Sequence, residues 1–268
     1  MTLGILGGCG PAAGAHFYTR LIALTAAERD SDHVDVLLTG RASTPDRTSA
    51  LLSGTRSPLA SLTRDALLLE QGGADLLVLI CHTAHAYLPE LRAALHIPVL
   101  DMISVTAEEA ARIGTRRLGV LCTAGTRRAR LYERVAAEHG IAVLYPSQTV
   151  QDRLDDLIYR DLKCGRTDNG AAVRTAIAEL ASRGADAVSL SCTELSLPWA
   201  GGGGTHFLRQ DPPATVRAVP ILDPIELLAL RAITACGKRP KRKEEPYAPV
   251  QASFLPYRRS SAEWGMGR

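Results

Sequence analysis

Two stretches decide how this chain is read: Gly73-Ala74-Asp75-Leu76-Leu77-Val78-Leu79-Ile80-Cys81-His82-Thr83 and Gly184-Ala185-Asp186-Ala187-Val188-Ser189-Leu190-Ser191-Cys192-Thr193-Glu194. They align without a gap, and each cysteine follows its glycine by eight residues. Both pass from a Gly-Ala-Asp turn into a short apolar run, the mark of a strand covered on both faces. Working outward, Leu3-Gly4-Ile5-Leu6 matches Leu118-Gly119-Val120-Leu121, and Pro98-Val99-Leu100-Asp101 matches Pro220-Ile221-Leu222-Asp223. One such match is composition noise. Three in the same order imply a duplicated unit.

Between these anchors, short apolar runs alternate with amphipathic segments, the α/β pattern of parallel sheets with helices on both faces. The pattern predicts strands at 3–6, 34–39, 74–80, 99–100, 117–121, 142–144, 187–190 and 221–222. It predicts helices near 12–27, 58–71, 89–95, 105–112, 127–138, 154–163, 171–183 and 225–235. Chain order suggests a first lobe over residues 1–103 and a second over 104–217. A C-terminal helix near 224–236 is expected to rejoin the first lobe, followed by a basic tail over 238–268. Cys81 precedes Pro98 by 17 residues but Cys192 precedes Pro220 by 28, and the excess, with Gly201-Gly202-Gly203-Gly204 and Pro212-Pro213, reads as a flexible surface insertion.

With 268 residues and 46% hydrophobic content the chain can bury full cores. Its longest apolar runs, such as Leu76 to Cys81, fall far short of the roughly 20 residues a membrane span needs. The start has no basic segment ahead of an apolar one, so no secretory leader is read and the expected location is the cytoplasm. The tail from Lys238 to Arg268 carries 8 Lys and Arg against 3 Glu, a net +5, which leaves 23 basic against 25 acidic residues elsewhere, a net −2. The basic run Lys238-Arg239-Pro240-Lys241-Arg242-Lys243 meets Glu244-Glu245 and reads as a solvated terminus, not a nucleic-acid site. Six cysteines occur with no CxxC pair and no zinc-like spacing, so free thiols and no metal are expected.

In parallel sheets, ligands bind beyond the carboxyl ends of the strands, where Cys81 and Cys192 sit. The lobes of a duplicated chain are commonly related by an approximate two-fold axis, which lets the two thiols face each other across the cleft between lobes. Moving a proton from one face of a substrate carbon to the other calls for a base and an acid on opposite sides. One thiolate and one thiol fulfil both roles. Thr83 and Thr193, at loop-helix junctions, offer donors for a substrate carboxylate and for the charge that develops on it. The turn Gly7-Gly8-Cys9-Gly10-Pro11 lacks the full GxGxxG spacing, and its backbone amides suit a carboxylate as well as a phosphate.

Gly4-Ile5-Leu6-Gly7-Gly8-Cys9-Gly10-Pro11 resembles the GILGGMGP opening of the aspartate/glutamate racemase family. Cys81-His82-Thr83-Ala84-His85 resembles its CNTAH motif, and Ser191-Cys192-Thr193-Glu194 its GCTE motif. The likeness spans about residues 3 to 235 and takes in Pro45-Asp46-Arg47-Thr48, Thr123-Ala124-Gly125-Thr126 and Ile158-Tyr159 leading to Lys163. It implies two similar lobes, a small amino-acid substrate, no pyridoxal phosphate and no metal, two catalytic cysteines (Cys81, Cys192) and usually a homodimer. Carried over by position, Arg47 and Lys163 bind the substrate's side-chain carboxylate, with Thr83, Thr123 and Thr193 around its α-carboxylate and amine. Gly8, His82 and Glu194 complete the expected substrate site.

The chain departs from the family pattern at His82 for Asn, Cys9 for Met, Ser191 for Gly and Gly40-Arg41 for an Asn pair. A protonated His82 would lower the Cys81 pKa; a neutral one replaces one donor by another, the favoured reading. Arg41 is read as a surface ion pair, His85 as a structural hydrogen-bonding residue, and Asp101 and Asp223 as helix caps. Glu194 orients Thr193, meets the substrate amine or caps the turn that follows. Related reactions on this fold, those of hydantoin racemases, maleate isomerases and arylmalonate decarboxylases, are the alternatives within the superfamily. A catalytically weak sensor or binding protein is the alternative outside it.

Overall fold

The computed structural model describes residues 1–166, 170–197 and 219–241. The insertion around Gly201–Gly204 and Pro212-Pro213, and the tail from residue 242 onward, lie outside the described residues. Two parallel four-stranded sheets form the framework. The first contains β1 (Thr2–Leu6), β2 (Asp35–Thr39), β3 (Leu76–Leu79) and β4 (Val99–Leu100) in the order β2-β1-β3-β4. The second contains β5 (Arg117–Val120), β6 (Ala142–Leu144), β7 (Ala187–Ser189) and β8 (Ile221–Leu222) in the order β6-β5-β7-β8. The topology is the same twice over, as the matched segments require. The second sheet takes in β8, beyond residue 217, where the sequence reading ended the second lobe.

The helices are α1 (Pro11–Leu24), α2 (Arg47–Ser53), α3 (Leu59–Gln71), α4 (Leu88–Ala94), α5 (Met102–Arg112), α6 (Ala124–Arg128), α7 (Leu131–Glu138), α8 (Gln148–Asp156), α9 (Ala171–Ser182) and α10 (Pro224–Ala235). Alternation along the strands assigns the faces. Leu3, Ile5, Leu76, Val78 and Ile80 pack with Phe17 and Leu21 of α1, Met102 and Val105 of α5, and Ile225 and Leu228 of α10. Leu6, Leu77 and Leu79 face the other way, onto Leu62, Ala66 and Leu69 of α3 and Leu91 of α4. In the second sheet Val188 packs with α8 and α9, while Leu118, Val120 and Ala187 pack with Leu131 and Val135 of α7. Helix α5 serves both cores, through Met102 and Val105 on one side and Ile103, Ala107 and Ala110 on the other.

Asp101 caps α5, its carboxylate accepting from the N–H groups of Ile103 and Ser104, and Asp223 caps α10 through Ile225. These caps are the ones read from the sequence. Three segments differ. The helix α2 was not foreseen; Asp46 caps it by accepting from the Ser49 N–H at 2.7 Å. The helix predicted over 127–138 is two helices, because Arg130 adopts a left-handed backbone (φ 52°) between α6 and α7. The helix predicted over 154–163 begins earlier, as α8, and widens into a π-helical turn at Leu157–Asp161 before a 3-10 turn at Leu162–Cys164. Such turns often accompany functional sites. The described start of the basic tail lies along the end of α1, with the Ala26 N–H donating to the Arg239 carbonyl and the Lys241 N–H to that of Leu24. No helix among the described residues is long and apolar enough to cross a membrane.

The duplicated glycines of β1 and β5 have one physical cause. A Cβ on Gly4 would lie 2.2 Å from Leu77 Cδ2 and 3.0 Å from Ala74 Cβ. A Cβ on Gly119 would lie 2.9 Å from Leu180 Cδ1 of α9 and 3.0 Å from Val188 Cγ2. The bare backbone lets a neighbouring layer close onto the first strand of each sheet. Gly4→Val and Gly119→Val are each expected to destabilise the protein by about 1–3 kcal/mol through overpacking. The measurement is the urea unfolding midpoint, with Leu38→Val, an exposed position on β2, as the control that stays near the parent.

Candidate active site

Both sheets end at one cleft. Cys81 lies two residues past β3 and Cys192 three residues past β7, in the loops that leave the carboxyl ends of the corresponding strands of the two sheets. The cleft is lined by Asp46, Arg47, Thr48, Cys81, His82 and Thr83 from the first half and by Thr123, Tyr159, Lys163, Cys192, Thr193 and Glu194 from the second. Of the catalytic and substrate-binding residues expected from the sequence, only Gly8 is absent from this lining. Gly8 holds φ +83°, and a Cβ there would sit 2.4 Å from the Arg41 backbone nitrogen, so its place is in the turn beneath. The space left open is small: the centre of a water molecule has ≈ 10 Å³ to move in, about the room for one water.

The two thiols sit in opposite electrostatic surroundings. Cys81 is held well below the ordinary cysteine range, first by a hydrogen bond with the Cys9 thiol, then by the charges of Arg47 and Lys163, which together overcome its burial. Cys9 is pushed correspondingly up by that shared hydrogen bond and by its burial. The Arg47 charge in turn is held by the negative charge on Cys81. Cys192 is pushed well above its ordinary value by burial and by the Glu194 carboxylate, to which its Sγ donates at 3.1 Å. One sulfur is charged and the other neutral. Glu194 itself resists burial because Lys163 Nζ donates to its Oε1 at 3.1 Å, and Thr193 Oγ1 donates to its Oε2 at 3.0 Å. Of the readings open for Glu194, the structure shows the one in which it bonds Thr193.

Arg47 is the first residue of α2 and is 6% exposed. Its Nη1 donates to the Thr44 and Pro45 carbonyls and its Nη2 to the Cys9 carbonyl, while its buried Nε has no partner. Lys163 Nζ reaches the same Cys9 carbonyl at 3.3 Å and lies 5.6 Å over the Tyr159 ring. Between the halves runs a seam of hydroxyls. Thr83 Oγ1 is 2.9 Å from both Thr123 Oγ1 and Thr126 Oγ1, and the Tyr159 hydroxyl donates to Thr48 Oγ1 at 2.6 Å. Asp46, Thr48 and Tyr159 were not read as site residues. Thr48 follows Arg47 directly and Tyr159 precedes Lys163 by four, a helical turn, and those spacings were the available signals.

His82 is fully enclosed and stacked on Tyr132 with ring centroids 6.0 Å apart, and neither ring nitrogen has a hydrogen-bond partner. Burial and the neighbouring His85 push its pKa well below the ordinary histidine range, so it supplies no cation to Cys81. As a neutral ring with no hydrogen-bond partner among the described residues it still lines the cleft. His85 is structural: its Nδ1 lies 2.8 Å from the Cys81 carbonyl and its Nε2 accepts from the Met102 N–H at 3.2 Å. Arg41 lies outside the cleft lining and grips Asp65, with Nε 2.8 and 2.9 Å from its two oxygens. Cys122 is buried in the second core, its thiol pushed up by that burial, and Cys236 ends α10.

Residues 6–232 match the Asp/Glu/hydantoin racemase family model. The chain is 26% identical over 198 residues to the broad specificity amino-acid racemase RacX of Bacillus subtilis strain 168, a match spanning 72% of this chain and 86% of that protein. It is 29% identical over 161 residues to a glutamate racemase of Shewanella loihica, spanning 56% of this chain and 58% of that one. The structure is similar to that of the aspartate racemase of Picrophilus torridus, with a TM-score of 0.74 and 27% identity over 90% of this chain and 96% of the other.

Two outcomes follow from this geometry. Tyr159→Phe removes the hydroxyl bridge to Thr48 and is expected to cost about 0.5–1.5 kcal/mol in unfolding free energy. The ultraviolet thiolate band in the difference between the parent and Cys81→Ser is expected to persist to pH values below the ordinary cysteine pKa of about 8.5. The corresponding difference for Cys192→Ser should show no thiolate band at neutral pH.

Proposed function

Because the chain belongs to the Asp/Glu/hydantoin racemase family, we propose that it racemises an acidic amino acid by passing protons between the substrate and two thiols, Cys81 and Cys192, with no cofactor. The observation that carries this reading is the pairing of a charged and a neutral sulfur on one cleft. The α-hydrogen of an amino acid is a weak acid, so its removal needs a base in contact and donors that take up the charge developing on the carboxylate. The Cys81 thiolate is the base. The Cys192 thiol, already hydrogen-bonded to Glu194, is the acid that delivers a proton to the other face. After one passage the protonation states are exchanged, and the opposite enantiomer is the one the exchanged form takes.

Thr83, Thr123 and Thr193 have hydroxyls on the cleft that serve the α-carboxylate and amine. In the closed state Thr83 and Thr123 bond each other, so a substrate replaces a contact between the halves by contacts to itself. Arg47, buried and with its Nε unpartnered, binds the side-chain carboxylate. Lys163 stands beside it, its charge matched by Glu194. That match favours a second reading, in which the side-chain pocket holds only one cation without a bonded carboxylate and the enzyme accepts a wider set of amino acids. The relative from Bacillus subtilis is named for such breadth.

The test is exchange of the α-proton in D₂O, followed by NMR, with each enantiomer of aspartate, glutamate and a panel of neutral amino acids. Exchange with aspartate or glutamate alone supports the acidic reading, exchange across the panel the broader one, and exchange with none ends both. Cys81→Ser and Cys192→Ser should each lower racemisation by about 10²- to 10⁴-fold or more. Cys192→Ser should keep exchange of the single enantiomer whose hydrogen faces Cys81. Since Cys81 works as a thiolate, kcat/KM should fall as pH drops through its depressed pKa. It should hold on the alkaline side, where Cys192 stays a thiol.

A further inference from the structure

The proton transfers leave Cys9 without a chemical role, yet the fold sets it against Cys81. Strands β1 and β3 are hydrogen-bonded neighbours running the same way, with Leu6 opposite Leu79 and the Ile80 N–H donating to the Leu6 carbonyl at 3.1 Å. The chain leaves both strands at the same edge. Cys9 lies three residues past Leu6 and Cys81 two past Leu79, so both leave strands about 4.8 Å apart, and a disulfide needs a Cα separation of about 4.4–6.8 Å. Both side chains pack in one cluster with Leu6 and Leu79, and both are buried, at 4% and 8% exposure. Each thiol acts on the protonation of the other, which lowers the pKa of Cys81 and raises that of Cys9.

We propose that Cys9 and Cys81 form a reversible disulfide on exposure to hydrogen peroxide, a modification that removes the Cys81 sulfur from the cleft's chemistry. The proposal rests on the two-thiol reading only for its effect on turnover. Cys81 lines the cleft, and hydrogen peroxide, with two heavy atoms, needs the halves to part far less than an amino acid does. The Cys81 thiolate attacks one peroxide oxygen, the O–O bond breaks, and hydroxide leaves to be protonated to water. The sulfur is then a sulfenic acid, and the peroxide has taken two electrons. The Cys9 sulfur next attacks that of Cys81, the S–S bond forms as the S–O bond breaks, and water leaves with the proton of Cys9. Cys192 is less suited to this second step, since the Glu194 carboxylate engages its thiol and keeps it protonated. The Cys81 charge that helps keep Cys9 protonated, by contrast, is gone once Cys81 is a sulfenic acid.

The experiment treats the full chain with hydrogen peroxide, blocks free thiols, and maps the linked peptides by mass spectrometry beside a racemase assay. The expected result is a crosslink joining Cys9 to Cys81, with activity lost and then restored by dithiothreitol. An amino-acid substrate present during treatment should slow that loss. In Cys9→Ser, peroxide should carry Cys81 past the sulfenic acid, so that dithiothreitol restores roughly tenfold less of that variant's own starting activity than it does in the parent. A crosslink joining Cys81 to Cys192, no crosslink at all, or full recovery of Cys9→Ser by dithiothreitol overturns the proposal. Should no amino acid be turned over, the peptide map alone still decides whether the disulfide forms.

Discussion

A negative sulfur in a nearly closed cleft is the condition to which the rest of the site answers. Burial alone drives a thiol toward its neutral form, as it does at Cys122. Cys81 escapes because Arg47 and Lys163 are brought to it from different halves of the chain and because the Cys9 thiol donates to it. The cations need anchoring of their own, and both find it at the Cys9 carbonyl. Glu194 then balances Lys163 and, by the same charge, keeps Cys192 protonated. That carboxylate thus balances a cation and adds to the burial that keeps Cys192 neutral. The polarity of the site follows from where each residue leaves its strand.

At the cleft the two halves meet through hydroxyls. Threonine and tyrosine hydroxyls can rotate toward water or a ligand and lose little in doing so, since a protein–protein hydrogen bond is exchanged for another of similar strength. A seam built from Thr48, Thr83, Thr123, Thr126 and Tyr159 is therefore suited to parting and closing again. Carboxylate oxygens of a guest are natural replacements for the oxygens that face each other there.

Much of the framework could be read from residue order because parallel strands buried on both faces leave dense apolar runs, and because the duplication checks each run against its counterpart. The two cysteines were legible for the same reason: they recur at the same offset from Gly73 and Gly184. The rest depends on contacts between distant segments. The helix α2 is short and polar, and only its Asp46 cap marks it. Tyr159 enters the cleft through a π-helical turn that no simple periodicity announces. His82 could be placed beside Cys81, but its stacking on Tyr132 comes from a segment 50 residues further along the chain. Cys9 could be noted only as a departure from a pattern, since its contact with Cys81 arises from pairing between strands 70 residues apart in the chain.

Helix α5 connects the two sheets in sequence and also forms a wall of each core, with Met102 and Val105 on one side and Ile103, Ala107 and Ala110 on the other. A repeat whose copies share a wall is no longer two separable modules. Loosening either half strips apolar cover from the other, so the halves lose their independence as folding units and the molecule melts as one cooperative body. The ancestral duplication survives in the outline of the structure, while its thermodynamics have become those of a single object.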